Sequence, residues 1–497
     1  MEEKKNNNWF IKVMGAIAMV YLLLPSNNAS PDAYDYACSA KYGVDLFHPH
    51  HLLFNGFFHL EYKILGSIFP SIDVLKMMQA TNALFALATL VIAYKALKMI
   101  CSTVKSQNLI FFCATTFGML RFATDGETYI IPLFFCLLAT LFFVKGIQKE
   151  NPTFAFWSGL SFAVACLFHQ TALFWGIGLW IGYIIDRRMR SLTLFTLASL
   201  TIPVVYMLLM PRSEDGHLLP DLFRFMTDYY HSDSAEIQFG WTNIILTPIN
   251  LFRTIYQVHG NIPVILKGNY GHIVICVIAM IIAIFCLGFC LYSFVADRRI
   301  GKHFSMPDLK VIEISHIIAF TLSLLFAFFS HGNAEFMVML PLCAAFFLHA
   351  FIEEESILYG FALSAFLWNV STAIVPSHQL NYYNEEAIVE HIHNHPQATY
   401  LLREKNSVGN KYFYRFGVQP QANLVRADRE KSVADLRREN LTKPDMEIYT
   451  DVISRPTPLS RGTMLNKDKI SCKKIEEALP IPCAMGDYSL DLITFNE

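Results

Sequence analysis

Pro31-Asp32-Ala33-Tyr34-Asp35-Tyr36-Ala37, followed by His48-Pro49-His50-His51, stands between an apolar run at 9–25 and another at 77–99. Each flanking run is long enough to cross a bilayer, so the carboxylates and histidines sit where the chain leaves and re-enters a membrane. The same alternation continues outward from there. Apolar runs recur at 108–122, 128–145, 153–169, 171–186, 191–210, 271–296, 312–330, 334–351 and 356–375, making eleven expected spans.

Composition requires the same reading. Of 497 residues 54% are hydrophobic and only 16% charged, against roughly 25% charge in a soluble domain. A single soluble core would struggle to bury 42 Phe. The net charge of -2 leaves no basic face to neutralise phosphates, which argues against a nucleic-acid partner.

Basic residues orient the spans, because Lys and Arg near span ends stay in the cytoplasm. Lys4, Lys5 and Lys12 flank the first span, Lys95, Lys98 and Lys105 the second, and Lys145 and Lys149 the fourth. Arg187, Arg188 and Arg190 follow the sixth, and Arg298, Arg299 and Lys302 the eighth. All fall on one side; only the Glu353–Glu355 turn breaks the pattern, and acidic residues weigh little in this rule. The first span also fits a cleavable signal peptide, but ten further spans favour an uncleaved anchor.

The outer side then receives 26–76, Thr124–Glu127, 211–270, Ser330–Glu335 and everything after 375. From His50 to Phe69, Leu, Phe and Ile recur at three- and four-residue spacing, which predicts an amphipathic helix in the membrane interface. Phe223, Phe225, Trp241, Ile244, Ile245 and Phe252 give the 211–270 loop the same character. The expected division is a membrane domain over 1–375 and a small extracytoplasmic α/β domain over 376–497. In the latter, Glu385–Asn394 reads as a helix, and Thr399–Arg403, Lys411–Phe416, Glu447–Ile453 and Tyr488–Phe495 read as strands. His391, His393 and His395 belong to a helix end before Pro396 rather than to a strand of metal ligands. Of the 11 cysteines, Cys38, Cys472 and Cys483 face outward. A Cys472–Cys483 disulfide and two free thiols both remain open.

With these segments in place the chain resembles the GT-C superfamily of polytopic glycosyltransferases, in its protein-mannosyltransferase and aminoarabinose-transferase-like branch. Pro31–Ala37 is similar to that branch's first acidic loop, and His48–Leu53 running to Gly66 to its His-Pro stretch and interface helix. Arg121-Phe122-Ala123-Thr124-Asp125 is similar to its second acidic loop. Phe156–His169 resembles its Gly-Leu…Ala-x-Leu-x-Lys segment, with His169-Gln170 where the lysine stands. The resemblance implies an α-helical polytopic fold and a sugar moved from a polyprenyl-phosphate donor to a glycan, lipid or protein acceptor at the outer face of a bacterial inner membrane.

The chemistry gives the residues roles. An acceptor hydroxyl must lose its proton as the new bond forms, which calls for a carboxylate base, and Asp32 supported by Asp35 is the candidate. His48, His50, Lys63, Arg121, Asp125, Glu127 and His169 are candidate substrate contacts. Lys41, Lys63, Arg121, His169 and Arg212 are candidates to balance the charge of a leaving phosphate. Each has a plainer rival: Asp32 as a helix cap residue, Asp125 and Glu127 as caps of the fourth span, the histidines as interface residues. A divalent metal held by His48, His50 or His51 with Asp32 or Asp35 stays open, and no cofactor is required. The rival functions are a surface-polysaccharide polymerase or ligase, and a lipid or glycan transporter. The transporter is disfavoured because charges avoid the span centres and no internal repeat is visible.

Overall fold

The computed structural model describes residues 2–212, 217–228, 239–257, 270–299, 309–352, 355–443, 445–456 and 470–495. Lys302, Glu353, Glu354 and parts of the 211–270 loop lie outside them. The protein is a helical bundle with a small sheet at its C-terminal end. Seven described helices are long and apolar enough to cross a membrane, and three shorter apolar helices, Trp9–Leu23, Thr153–Phe168 and Gln170–Ile185, accompany them.

In chain order the helices are α1 (Glu2–Leu23), α2 (Pro31–Tyr42), α3 (Phe54–Ile68), α4 (Val74–Leu97), α5 (Thr103–Thr115), α6 (Phe117–Ala123) and α7 (Ile130–Gln148). Then come α8 (Thr153–Phe168), α9 (Leu173–Ile185), α10 (Met189–Ser199), α11 (Thr201–Leu209), α12 (Leu218–Met226) and α13 (Trp241–Ile255). The bundle closes with α14 (Tyr270–Arg299), α15 (Val311–Phe329), α16 (Leu340–Phe351), α17 (Glu355–Asn369) and α18 (Val375–Gln379). All eleven expected apolar segments are helical, several of them in pieces.

The breaks have local causes. The α5–α6 segment breaks at Thr116, and the carbonyl freed on Thr115 accepts from Asn369 Nδ2 at 2.9 Å. Between α17 and α18 the backbone widens into a π-turn over Val370–Ile374. Pro376, which has no N–H and crowds the carbonyl four residues back, accounts for it. Helices approach closely where side chains are missing: a Cβ on Gly159 would strike the backbone of Phe195, and one on Gly178 the carbonyl of Ser315. Some buried polar groups inside the bundle pair across helices. Trp175 Nε1 donates to Thr140 Oγ1 at 2.9 Å, and Thr140 Oγ1 lies 3.1 Å from Nε2 of the fully buried His316.

The segments expected to be amphipathic are helices with an exposed apolar stripe. On α3, Leu60, Ile64 and Ile68 are exposed on one stripe while Phe54 and Phe58 are buried. On α12 and α13, Leu219, Phe223, Trp241, Ile244, Ile245 and Phe252 are exposed.

The C-terminal region has α19 (Glu385–Asn394), α20 (Lys405–Phe416) and α21 (Glu430–Thr442) around a five-stranded sheet of order β2-β1-β3-β5-β4. Here β1 (Thr399–Leu402), β2 (Asn423–Arg426) and β3 (Ile448–Thr450) are parallel, and β4 (Cys472–Ile481) and β5 (Tyr488–Phe495) antiparallel. Lys411–Phe416 is not a strand but the end of α20, closed by Gly417 at φ 73°. Its alternation arose because α20 is packed on two sides: Tyr412 and Phe416 join the sheet's core, and Tyr414 joins the cluster around α2. Strands β2 and β4 lie at the sheet edges, β2 only four residues long and β4 carrying mixed charge, and gave no alternation to read. Cys472 and Cys483 are both free. They stand at opposite ends of β4, a ten-residue strand and so roughly 30 Å long. A disulfide tolerates only about 7 Å between Cα atoms.

Candidate active site

Helix α2 is built to present acid. Ser30 is its N-cap, its hydroxyl accepting from the Ala33 N–H at 2.9 Å; Pro31 opens the first turn, and Gly43 at φ 73° ends the helix. At 3.6 residues per turn the helix has three faces. Ala33, Ala37 and Ala40 are buried against the bundle; Asp32, Asp35, Tyr36 and Ser39 face a cavity; Tyr34, Cys38, Lys41 and Tyr42 face the C-terminal region.

The cavity has a volume of about 720 Å³. Besides α2 it is lined by Asp45, His48, His50, His51 and Asn55 from the first loop, and by Tyr129, His169, Gln170 and Tyr206 from the bundle. Met226 and Thr227 come from the end of α12, and His331, Asn333 and Glu335 from the turn after α15. Apolar surface enters through Phe174, Ile202, Phe326 and Phe336.

Its walls are cross-tied. The two N–H groups of Gln170 Nε2 are shared among three acceptors, the Pro49 carbonyl at 2.9 Å, Tyr206 Oη at 3.1 Å and the Met226 carbonyl at 3.1 Å; the His50 ring lies 3.2 Å from Gln170 Oε1. One amide thus joins the first loop, the α8–α9 turn, α11 and α12. His169 Nδ1 accepts from the Thr171 N–H at 3.2 Å, so a neutral ring keeps its proton on Nε2. The rings of His48 and His51 stack at 4.5 Å.

Electrostatically the cavity is acidic. Asp32 and Asp35 open onto the cavity yet are largely surrounded by protein. Burial, then the charges of Glu335 and Asp35, raise Asp32 to about 6. Burial and Asp45 raise Asp35 as well. Burial lowers His48, brings His50 down to about 4, and holds His51 well below the usual imidazole range, so these rings are neutral at pH 7. Among the described residues no Lys or Arg lines the cavity.

The residues singled out in the sequence divide accordingly. Asp32, Asp35, His48, His50 and His169 line the cavity. Glu127 is buried behind it, accepting from the Ser30 hydroxyl, and burial followed by Glu335 holds its carboxyl well above the usual range. Asp125 is also buried and raised, chiefly by desolvation. Asn82 Nδ2 donates to the backbone carbonyls of both Asp125 and Glu127 at 2.8 Å, fastening this loop to α4. Arg121 does not line the cavity, nor does Lys63, which is exposed on α3. Lys41 is spent on the Tyr414 carbonyl at 2.8 Å, and Arg212 is exposed beyond α11. Asp45, Asn55, Tyr206 and Glu335 were not singled out as site residues. Of these, Glu335 had a signal, a carboxylate at a span mouth on the same side as Asp32. Among the described residues no group of three His, Cys, Asp or Glu side chains is arranged to hold a metal ion, and no step below is routed through one.

No protein-family model and no curated protein sequence matches the chain. Its structure is similar to that of the Archaeoglobus fulgidus oligosaccharyltransferase in complex with zinc and sulfate, at 11% identity and a TM-score of 0.51, over 88% of this chain and 68% of that one. A structure of the same organism's AglB with an inhibitory peptide and a dolichol-phosphate aligns at 11% identity and a TM-score of 0.44, over 89% and 69%. ArnT from Cupriavidus metallidurans aligns over 98% of both chains at 11% identity and a TM-score of 0.42. At such identities the likeness is one of fold, and it rests on the first of the three.

Proposed function

We propose that this protein is an integral-membrane glycosyltransferase that moves a sugar from a polyprenyl-phosphate donor to an acceptor at the outer face of the membrane, with Asp32 as general base. The observation that carries the proposal is the placement of Asp32 and Asp35. They share one face of α2 and look into a 720 Å³ cavity walled partly by α12, whose exposed apolar residues suit a lipid surface, as do those of nearby α3. The likeness of fold to the oligosaccharyltransferase supports the same class of reaction.

At pH 7 a carboxyl at about 6 is mostly ionised and still basic enough to accept a proton. In the reaction the acceptor O–H proton passes to an Asp32 oxygen while the acceptor oxygen bonds to the anomeric carbon. The bond from that carbon to the phosphate oxygen breaks, and its electron pair leaves with the lipid phosphate. Asp35 and Glu335 keep Asp32 basic. The His169 Nε2–H is the donor aimed at the departing phosphate, since among the described residues the cavity lining offers no lysine or arginine. In this reading the basic ends of the spans face the cytoplasm of a bacterium, and the region from 376 onward lies outside.

The test uses purified protein, a labelled polyprenyl-phosphate sugar and membranes as the source of acceptor. Asp32→Asn keeps shape and removes basicity, so transfer should fall by on the order of 10²–10⁴ while lipid binding persists. Near-normal transfer by Asp32→Asn would remove the base assignment. Turnover of a free nucleotide sugar with no lipid carrier would remove the donor assignment.

A further inference from the structure

The face of α2 turned away from the cavity is held by α20 of the C-terminal region. Asn410 Nδ2 donates to the carbonyl of Pro31 at 2.9 Å, and its backbone carbonyl accepts from Cys38 Sγ at 3.4 Å. One turn further along, the Tyr414 carbonyl receives Lys41 Nζ at 2.8 Å and Tyr42 Oη at 2.9 Å, while Tyr414 Oη accepts the Leu75 N–H at 3.2 Å. Lys411 Nζ lies 5.2 Å from the Tyr34 ring centre and pairs with the buried Glu385 at 3.0 Å.

We propose that the C-terminal region is a positioning element of the active site, and that Asn410 is the residue through which it sets the rotation of α2 and hence the aim of Asp32 and Asp35. On the bundle side α2 is packed through alanines 33, 37 and 40, with a directional bond at each end: the Ser30 hydroxyl donates to Glu127, and the Ala40 carbonyl lies 2.7 Å from His59 Nδ1 of α3. On the opposite flank α20 supplies further directional bonds, which reach the first turn, where Asp32 sits, and the last. The Pro31 carbonyl held by Asn410 is the one that an α-helix pairs with the Asp35 N–H. The chain just before α2 is tied to the segment that leads from the bundle into the C-terminal region: Asn28 Nδ2 donates to the carbonyls of Ser377 at 2.8 Å and Leu380 at 2.7 Å. Turning a helix by a few tens of degrees moves a carboxylate by more than an ångström, and misplacement of about 1 Å can cost about 10²-fold in rate.

This inference rests on Asp32 being the base. Asn410→Ala removes the bond to Pro31 without touching the cavity. In the full-length protein kcat should fall about ten-fold or more with donor KM changed less than about three-fold, since binding groups stay in place. The acidic limb of the pH–rate profile should move too, because the surroundings of Asp32 change; a merely structural loss of folded enzyme would leave that limb where it was. If Asn410→Ala does not yield folded protein, Asn410→Asp, of the same size and unable to donate, carries the same expectation. Native kcat and a native pH profile in the folded variant overturn the proposal when Asp32→Asn is inactive. An active Asp32→Asn removes the base assignment, and this inference with it, by a separate measurement.

Discussion

Replacing Glu335 by Gln tests the electrostatics that make Asp32 a working base. The Asp32 carboxyl stands at about 6 rather than 3.8, with burial the largest cause, Glu335 next and Asp35 third. The rise is therefore about two pH units (6 less 3.8), and Glu335, ranking below burial, supplies less than half of it. Glu335→Gln should lower the Asp32 pKa by at most about one pH unit while keeping an oxygen for the Tyr129 hydroxyl, 3.4 Å away. A base acts in its ionised form, so activity is complete well above about 6 and lost as pH falls through that value. At pH 5 the native enzyme should keep roughly one tenth of its plateau kcat/KM, and a variant with Asp32 near 5 roughly half. The assay is kcat/KM for the lipid-linked donor from about pH 4.5 to 8, which reports the free enzyme. A limb that stays put or moves upward in Glu335→Gln would refute the coupling, and a native limb well below pH 5 would refute the raised carboxyl itself.

Two further outcomes are expected. Glu385→Ala strips the buried Arg455, which pairs with Glu385 and with Asp451 at 2.7 Å, and Lys411 of a shared partner; leaving such charges uncompensated should cost about 3–5 kcal/mol, seen as earlier unfolding of the C-terminal region in thermal melts of the full chain. That carboxyl is held at about 2 against 4.5, so its contribution is whole above pH 4.5 and is lost as pH falls toward 2; melts at pH 7 and 3 that do not differ would contradict it. Reporter fusions after Arg190 and after Ser377 should report opposite compartments, and agreement between them would overturn the orientation.

The sequence by itself determined whatever depends on neighbours along the chain. Apolar runs, basic span ends and the three-and-four spacing of α3 are local patterns, and burial in lipid or at its surface follows from them without knowledge of any partner. The ends of α2 were not read in this way: the cap the sequence offered was Asp32, whereas the cap is the Ser30 hydroxyl, with Gly43 closing the helix. The pairing of Asp32 with Asp35 was legible, since it needs only a helix between them. Which of the other polar residues share the cavity was decided by packing. Lys63 and Glu61 lie two positions apart on α3, yet Lys63 is exposed while Glu61 accepts from Thr81 at 2.6 Å. Glu335 lies 303 residues beyond Asp32 in the chain and lines the same cavity. The strand misread at Lys411–Phe416 has the same origin: a helix gripped on two sides imitates alternation, and the second side is α2, more than 360 residues away. Contacts of that span depend on how the bundle closes, and no window of sequence contains them.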